Sequence, residues 1–446
     1  MRVAARAQVG VRSRPSRNPK EERTLRARWL VTAVSIASLA VGVSACGGGG
    51  GGGGPTAKIT GTSLTVYSSL PEQGASGDQA KAIENGVKLA VKDRGGKVGK
   101  YTVTYKPLDD SLASTGAADE GKGAQNARTA VQDSSAIGYV GEYNSGISKV
   151  TIPILNKAGI TQISPANTYV GLTSTAPGHE PGEPDKYYPT GKRTYARVVP
   201  KDTIQAAALV TAAKQDGCSS IHVFNSKTTY SAGLARNIGL VAPKVPMKIE
   251  GNDAYDPKAA NYRSLAANVK APCVIQTGEI EQNGVQLMKD VATADKGVKL
   301  YGADGICLNA SADPTKGIPT TLAPQFKCTI ATLDPKTFGP TGKKFFKDFS
   351  TEYHQPHPDP YAIYGFESAS LLLDSIQKAA ASGTLTRQKV TDAVFSTKDR
   401  KSVLGTYSID KNGDTTLTDY GLYKIVGKTL TFDRVIKSNP SLVGSG

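Results

Sequence analysis

The stretch Gly138 to Leu172, GYVGEYNSGISKVTIPILNKAGITQISPANTYVGL, constrains the fold more than any other, because it has the pattern of a complete β-loop-α-loop-β unit. Ala136 to Val140 and Ile160 to Ile163 are short, apolar and bounded by turns, as strands buried in a parallel sheet are. Between them the pattern predicts a helix. Asn144, Ser145 and Ser148 supply side chains that cap free backbone N–H groups, and Gly159 tolerates the left-handed conformation that closes a last turn. Two parallel strands joined through a helix point to an open α/β sheet. They also bring the loops Glu142 to Gly146 and Ser164 to Tyr169 to the carboxyl edge, where such sheets bind ligands. Small hydroxyl and amide side chains beside a helix N-terminus suit an anionic group.

The alternation continues in both directions. Leu64 to Ser68 reads as a strand, Asp78 to Lys92 as an amphipathic helix with Ile83, Val87, Leu89 and Val91 inward, Tyr101 to Leu108 as a half-exposed or edge-side strand, and Asp119 to Val131 as a helix. Thr173 to Thr194 is rich in Pro and Gly, lacks periodicity and reads as a surface loop or insertion. After Arg197-Val198-Val199-Pro200 the alternation resumes, with strands at Ile221 to Phe224, Met247 to Glu250, Cys273 to Thr277, Lys299 to Gly302 and Phe326 to Ala331. Helices are expected at Ala232 to Val241, Pro257 to Val269 and Gln282 to Ala294, the second started by Asp256-Pro257. Helices at Thr341 to Tyr353, Tyr361 to Ala380 and Arg387 to Phe395 follow, then strands near Gly405 to Ile409 and Leu422 to Phe432. The chain has 446 residues. A single core stops growing at roughly 250 to 300 residues, so at least two lobes are expected.

An Arg-rich region ending at Arg28 precedes the apolar run Trp29 to Val43 and then Val43-Ser44-Ala45-Cys46, the order of a secretory signal with small residues at the cleavage point. The run is shorter than the roughly 20 residues a spanning helix needs. A cysteine directly after Ser-Ala resembles a bacterial lipobox, which places a lipid on Cys46 and anchors the mature chain at the extracytoplasmic face of the cell membrane. Residues 1–45 are then a signal peptide. Residues 46–60 are the lipidated cysteine and a tether, since Gly47 to Gly54 bury nothing. The first 45 residues hold nine Arg or Lys and two Glu, which leaves about +9 of the formal +16 for the rest. That charge is too diffuse for a nucleic-acid stripe. Cys218, Cys273, Cys307 and Cys328 remain, an even number favouring two disulfides in an exported chain. Three pairings exist. Cys218 with Cys273 and Cys307 with Cys328 is preferred, because each cysteine abuts an expected strand of one lobe; a zinc site is the alternative, without the CxxC spacing that would support it.

From about Thr62 to Ile436 the order of short matches resembles the type I periplasmic substrate-binding proteins, specifically the branched-chain amino acid group of ABC importer receptors. The matches in the first half are Leu70-Pro71 with Gly74 and Gly77, Gly86-Val-Lys-Leu-Ala90 ahead of Gly95-Gly96, Asp109-Asp110, Gly138-Tyr-Val-Gly141 with Ser145, and Ala158-Gly159-Ile160 leading to Ile163-Ser164-Pro165. In the second half they are Arg197 with Pro200, Tyr230 ahead of Gly233, Tyr301-Gly302-Ala303-Asp304-Gly305, Tyr361 through Ala369, and Asp410 with Asn412-Gly413-Asp414. The resemblance implies two Rossmann-like open-sheet α/β lobes joined by three crossover segments, placed near Val199, Ala331 and Thr418. Lobe 1 is then 61–198 plus 332–418 and lobe 2 is 199–331 plus 419–446, able to close by hinge motion. It implies a ligand carboxylate held by Ser145 and the Ala166-Asn167-Thr168 loop, an α-ammonium paired with Asp304, and Tyr230 lining the cleft. Two positions depart from the family. Ser76 and Glu279 stand where it commonly has aromatic residues, so two apolar walls are lost and a carboxylate is gained, which argues against a small aliphatic ligand side chain.

The remaining candidates carry little chemistry. His354 and His357 form an HxxH in a proline-rich loop without the helix or Glu of a metalloprotease, and His179 and His222 are isolated. Asp410-Lys-Asn-Gly-Asp414 lacks the spacing and terminal Glu of a calcium loop and reads as a hairpin turn. Neither a GxSxG elbow, nor a Walker loop, nor a GxGxxG fingerprint after a strand occurs, which removes support for a hydrolase, an NTPase and a dinucleotide enzyme. The expectation is therefore a lipid-anchored, monomeric solute receptor without cofactor or metal, taking an amino-acid-like small molecule and delivering it to an ABC permease. A sensory ectodomain of the same fold and an envelope α/β hydrolase are the competing readings.

Overall fold

The computed structural model describes residue 54, residue 56 and residues 58–442. The expected signal segment, the lipid site Cys46 and most of the tether lie outside the described residues. Among the described residues no helix is long and apolar enough to cross a membrane.

The first sheet grows from β1 (Ser63–Leu70), β2 (Lys97–Val98), β3 (Tyr101–Asp109), β4 (Ala136–Gly141), β5 (Thr161–Ser164) and β6 (Tyr195–Arg197). Its order is β2-β3-β1-β4-β5-β6, parallel except for the short β2. Helices α1 (Gly77–Asp93), α2 (Glu120–Gln132) and α3 (Ser145–Ala158) make the crossovers. After α4 (Asp202–Gln215) the second sheet is built from β7 (Ser220–Asn225), β8 (Lys248–Ala254), β9 (Cys273–Gln276), β10 (Lys299–Gly302) and β11 (Phe326–Ile330). Between these strands lie α5 (Thr229–Val241), α6 (Arg263–Ala266) and α7 (Gly284–Ala294). The chain then supplies α8 (Pro340–Tyr353), α9 (Ala362–Ala381), α10 (Arg387–Phe395) and the small hairpin β12 (Arg400–Ser402) and β13 (Gly405–Tyr407). It returns with β14 (Asp419–Val426) and β15 (Thr429–Lys437), giving the order β15-β14-β11-β10-β9-β7-β8.

The chain therefore passes between the sheets three times: after Arg197, after Ile330 and before Asp419. Helix α9 packs on α1, β4 and β5, and α10 on α9 and β4, so the segment between the second and third passages covers the first sheet. Glycine permits this packing. A Cβ on Gly86 of α1 would lie 2.2 Å from the Ala362 carbonyl oxygen of α9, and one on Gly365 of α9 would lie 2.2 Å from the Ile83 carbonyl oxygen of α1. Both helices approach backbone to backbone, which no larger residue allows.

Both disulfides form, Cys218–Cys273 and Cys307–Cys328; the first ties the segment just before β7 to β9, and the second ties the turn after β10 to β11. Gly159 ends α3 in the left-handed conformation (φ 68°). Helix α4 escapes the periodicity argument because residues 202–210 are all buried, so it has no polar face to alternate with an apolar one. The helix expected over Pro257 to Val269 shrinks to Arg263–Ala266. Asp256 caps only a turn, accepting from Lys258 N–H, and the Ala259 carbonyl is taken by the Asn283 side chain instead of an amide four residues on. The expected strand region Leu422 to Phe432 is two antiparallel strands turning at Gly427.

Candidate functional site

Two loops after parallel strands of the first sheet form one wall. Ser164 Oγ accepts from the N–H groups of Ala166 and Asn167 at 3.1 and 2.8 Å and donates to the Glu142 carbonyl at 2.8 Å. The Asn167 amide donates to the Tyr143 carbonyl at 2.7 Å and accepts from Ser148. These bonds tie the loop after β5 to the loop that opens α3. Arg197, fully buried at the end of β6, donates to the carbonyls of Asn167 (3.2 Å) and Tyr169 (2.8 Å), to Thr173 Oγ1, and to Asp414 at 2.8 Å. Lys201 adds a second cation to Asp414 at 3.0 Å. Burial alone would raise the Asp414 carboxyl, but Arg197 and Lys201 outweigh it and hold it at about 2. The 410–414 turn thus becomes a buried counter-ion for the arginine that shapes the wall; Asp410 Oδ1 accepts from the N–H groups of Asn412 and Asp414 to form it.

The opposite wall comes from the carboxyl ends of β7, β9 and β10. Thr228 caps α5 by accepting from Ser231 N–H, which presents Tyr230 in the first turn. The Tyr230 hydroxyl donates to one oxygen of Asp304, and the Tyr361 hydroxyl, just before α9, donates to the other at 2.6 Å. Glu279 follows β9, and its carboxylate accepts from Thr228 Oγ1 at 3.0 Å and from Ser226 Oγ at 3.3 Å.

Ser145, Ala166, Thr168, Tyr230, Glu279 and Asp304 line one cavity holding about 310 Å³ of space between atoms. Asn167 does not. It is buried behind the wall and acts as the clamp between the two loops, a role the loop's composition alone does not distinguish from contact. Tyr143, Asn144, Gly305 and Tyr361 complete the lining. The first three adjoin residues singled out in the sequence, and Tyr361 opens a segment that was matched without being assigned a role.

The two walls differ in charge. On the first, the leading N–H groups of α3, those of Ser145 and Gly146, have no carbonyl within the helix to bond, and the helix dipole puts its positive end there. Thr168 Oγ1 and Asn144 Oδ1 are buried without a hydrogen-bond partner among the described residues. On the second wall, burial pushes the Asp304 carboxyl up, opposed by the hydroxyls of Tyr230 and Tyr361. Glu279 is pushed up to about 7, again by burial, with the hydroxyls of Thr228 and Ser226 opposing. Asp202, at the start of α4, is a third buried carboxylate. It does not line the cavity but lies beside Thr168, whose carbonyl accepts from the Asp202 N–H at 2.8 Å, and burial pushes its carboxyl well above the carboxylate range, opposed by the Thr168 hydroxyl and Arg197. Sequence reasoning missed it together with its helix. A cavity with the leading amide of a helix on one side and buried carboxylates on the other suits a small molecule that is anionic at one end and cationic at the other, with the Asn144 Oδ1 acceptor at the border between them.

Elements of the first sheet also touch the second across this cleft. Arg236 of α5 donates to the Gly178 carbonyl at 3.0 Å and the Tyr169 hydroxyl at 3.3 Å, and Lys149 of α3 donates to Thr229 Oγ1 at 3.3 Å. The segment 173–194 packs on the first lobe, through Tyr187 and Tyr188 against Ile152 of α3 and through Glu183 accepting from the hydroxyls of Tyr169 and Tyr187, and reaches α5 at Gly178 and Glu180.

A family model described as periplasmic binding protein matches residues 68–429. The Leu/Ile/Val-binding protein homolog 1 of Brucella abortus (strain 2308) is 24% identical over 373 residues, 81% of this chain and 90% of that protein. A leucine-binding protein from Thermotoga maritima has the same fold with a TM-score of 0.71 at 20% identity, covering 85% of this chain and 99% of that one. An ABC-transporter solute-binding protein of R. palustris in complex with 4-hydroxybenzoate matches with a TM-score of 0.70 at 15% identity, covering 85% and 98%. The chain belongs to the periplasmic binding protein family, with the type I two-lobed α/β fold of its solved relatives, a family of extracytoplasmic solute-binding proteins.

Proposed function

We propose that this protein is the membrane-tethered receptor of an ABC importer and holds an amino acid, or a similar small zwitterion, in the cavity between its two sheets. The observation that carries this reading is the division of one small cavity, with the leading amide of α3 at Ser145 and the Thr168 hydroxyl on one side and Asp304 with its two tyrosines on the other. The ligand carboxylate meets the α3 N-terminus, and its ammonium meets Asp304. Relatives named for leucine, isoleucine and valine support the class of ligand; the Cys46 lipobox and glycine tether support the anchor, and the family supports the permease.

The test is native mass spectrometry of the exported protein, looking for a carried-over small molecule, followed by calorimetric titration of that molecule into protein unfolded and refolded with its disulfides intact. A zwitterion released in stoichiometric amount and rebinding tightly is the expected result. A ligand without any cationic group would refute the assignment of Asp304.

A further inference from the structure

The inner cavity does not end at Glu279. A second cavity of about 780 Å³ adjoins it and shares Asn144 and Glu279 as walls. Gly305 lines the inner cavity and packs closely on the shared wall. A Cβ there would lie 3.0 Å from the Glu279 Cα and 3.1 Å from a Tyr230 ring carbon, so the residue beside Asp304 packs directly on Glu279.

The outer cavity is lined by three carboxylates, Glu120, Glu279 and Glu281, against one cation, Lys227. Lys227 is exposed at the rim and makes no ion pair with these carboxylates among the described residues. Glu281 Oε1 and Asn144 Oδ1 lie there with no partner within hydrogen-bond distance among the described residues, and the Ser76 hydroxyl, in a residue only 1% exposed, faces Glu281 and opposes the burial that pushes that carboxyl up. Glu279 is fixed in place by the hydroxyls of Ser226 and Thr228, and Thr228 is itself held as the cap of α5. Acceptors and negative charge therefore gather where an aliphatic side chain would have to end. A neutral apolar group placed there would exclude water and satisfy none of them, which is costly for carboxylates.

Resting on the zwitterion reading above, we infer that the ligand is an α-amino acid with a long basic side chain. Its α-carboxylate and α-ammonium occupy the inner cavity, and its distal cation reaches the wall shared by the two cavities, between Asn144 and Glu279, to be held by Glu279 and Glu281 with Asn144 Oδ1 as a further acceptor. Burial that pushes the Glu279 carboxyl upward in the empty site agrees with this, because a bound cation restores its charged form.

The test is calorimetric titration of the exported, refolded chain with L-lysine, L-arginine, L-leucine and L-glutamate, repeated on Glu279→Gln and Glu281→Gln after their melting curves are checked. L-lysine or L-arginine should bind at least about a hundredfold tighter than L-leucine. Glu279→Gln should weaken the basic ligand by a factor on the order of a hundred, the loss of one buried charge partner, and should collapse its preference over leucine. Tight binding of L-leucine or L-glutamate with weak binding of both basic amino acids overturns this inference and leaves the zwitterion reading standing. Absence of binding by all four overturns this inference, and the zwitterion reading then stands or falls on the molecule released in native mass spectrometry. Because the wild-type panel alone decides the preference, a variant that fails to fold does not shelter the proposal.

Discussion

Replacement of Asp304 tests the site most directly. Its two carboxylate oxygens each accept one tyrosine hydroxyl, from Tyr230 and Tyr361, and retain lone pairs directed at the cavity. Asp304→Ala leaves a ligand ammonium without its partner in a desolvated cleft, a loss of roughly 3 to 5 kcal/mol by analogy with broken buried ion pairs. At about 1.4 kcal/mol per factor of ten, affinity falls by a factor on the order of a hundred to several thousand. Asp304→Asn keeps an acceptor for the tyrosines and loses only the charge, so its deficit should be about 1.5 to 3 kcal/mol. The stability of the empty protein should move the other way. Burial raises this carboxyl above its ordinary value, so the fold favours the neutral form. Its contribution is complete below the ordinary carboxylate pKa and is lost as the pH rises through the raised one. At neutral pH the native protein carries that penalty, and asparagine removes it. Calorimetric titration paired with melting curves of ligand-free protein should therefore find Asp304→Asn weaker in binding and equal or higher in Tm. An Asp304→Asn protein that binds within tenfold of wild type and melts several degrees lower would refute the reasoning, and would make Asp304 a structural anchor for the two tyrosines.

Acid sensitivity should centre on Asp414. Arg197 and Lys201 hold its carboxyl at about 2, below the ordinary 3.8, so its stabilisation is complete above that ordinary value and is lost as the pH falls toward 2; urea unfolding between pH 5 and 2 should show a slope that Asp414→Asn reduces. Arg197→Met should cost about 3 to 5 kcal/mol at neutral pH by leaving Asp414 under-compensated, and an unchanged urea midpoint would discard the counter-ion role. Free-thiol counting on denatured, unreduced protein should find none of Cys218, Cys273, Cys307 and Cys328, and two or more reactive thiols would contradict the bridges. Cys46→Ala should move the protein from the membrane fraction to the soluble one, and continued membrane association would remove the lipobox. Small-angle scattering should give a smaller radius of gyration with bound ligand than after its removal, since a ligand touching both walls favours the closed form.

The sheet-forming segments are largely legible in the sequence because strands buried on both faces reduce to short apolar runs between turns, as Ala136–Gly141 and Cys273–Gln276 do. Helices with one wet face, such as Gly77–Asp93, announce themselves by period, whereas the all-round buried Asp202–Gln215 does not. Asp256-Pro257 carries a helix-start signal that the side chain of Asn283 overrides from 24 residues away. At the site, Ser145, Thr168, Tyr230 and Asp304 follow from loop position together with family resemblance. Tyr361 and Asp202 do not, because their contribution comes from which elements the three passages between sheets bring together. Asn167 shows the converse limit: a polar residue in the right loop holds the wall from behind, and only its partners, Ser148 and the Tyr143 carbonyl, reveal that.

The placement of the two cross-links has a consequence for how long the protein lasts outside the cell. Cys218–Cys273 and Cys307–Cys328 span 55 and 21 residues, each ending on a strand of the second sheet and neither joining the two sheets. In the chain-entropy picture they restrict the unfolded ensemble by about 4 and about 3 kcal/mol, yet they leave opening and closing of the cleft unhindered. Reduction should then barely change the affinity of each folded molecule while raising the fraction transiently unfolded, so that the same receptor, with the same specificity, survives proteases for a shorter time. Durability rests on bridges within one lobe and recognition on both walls of the cleft, so an environment that alters the redox state acts chiefly on the first.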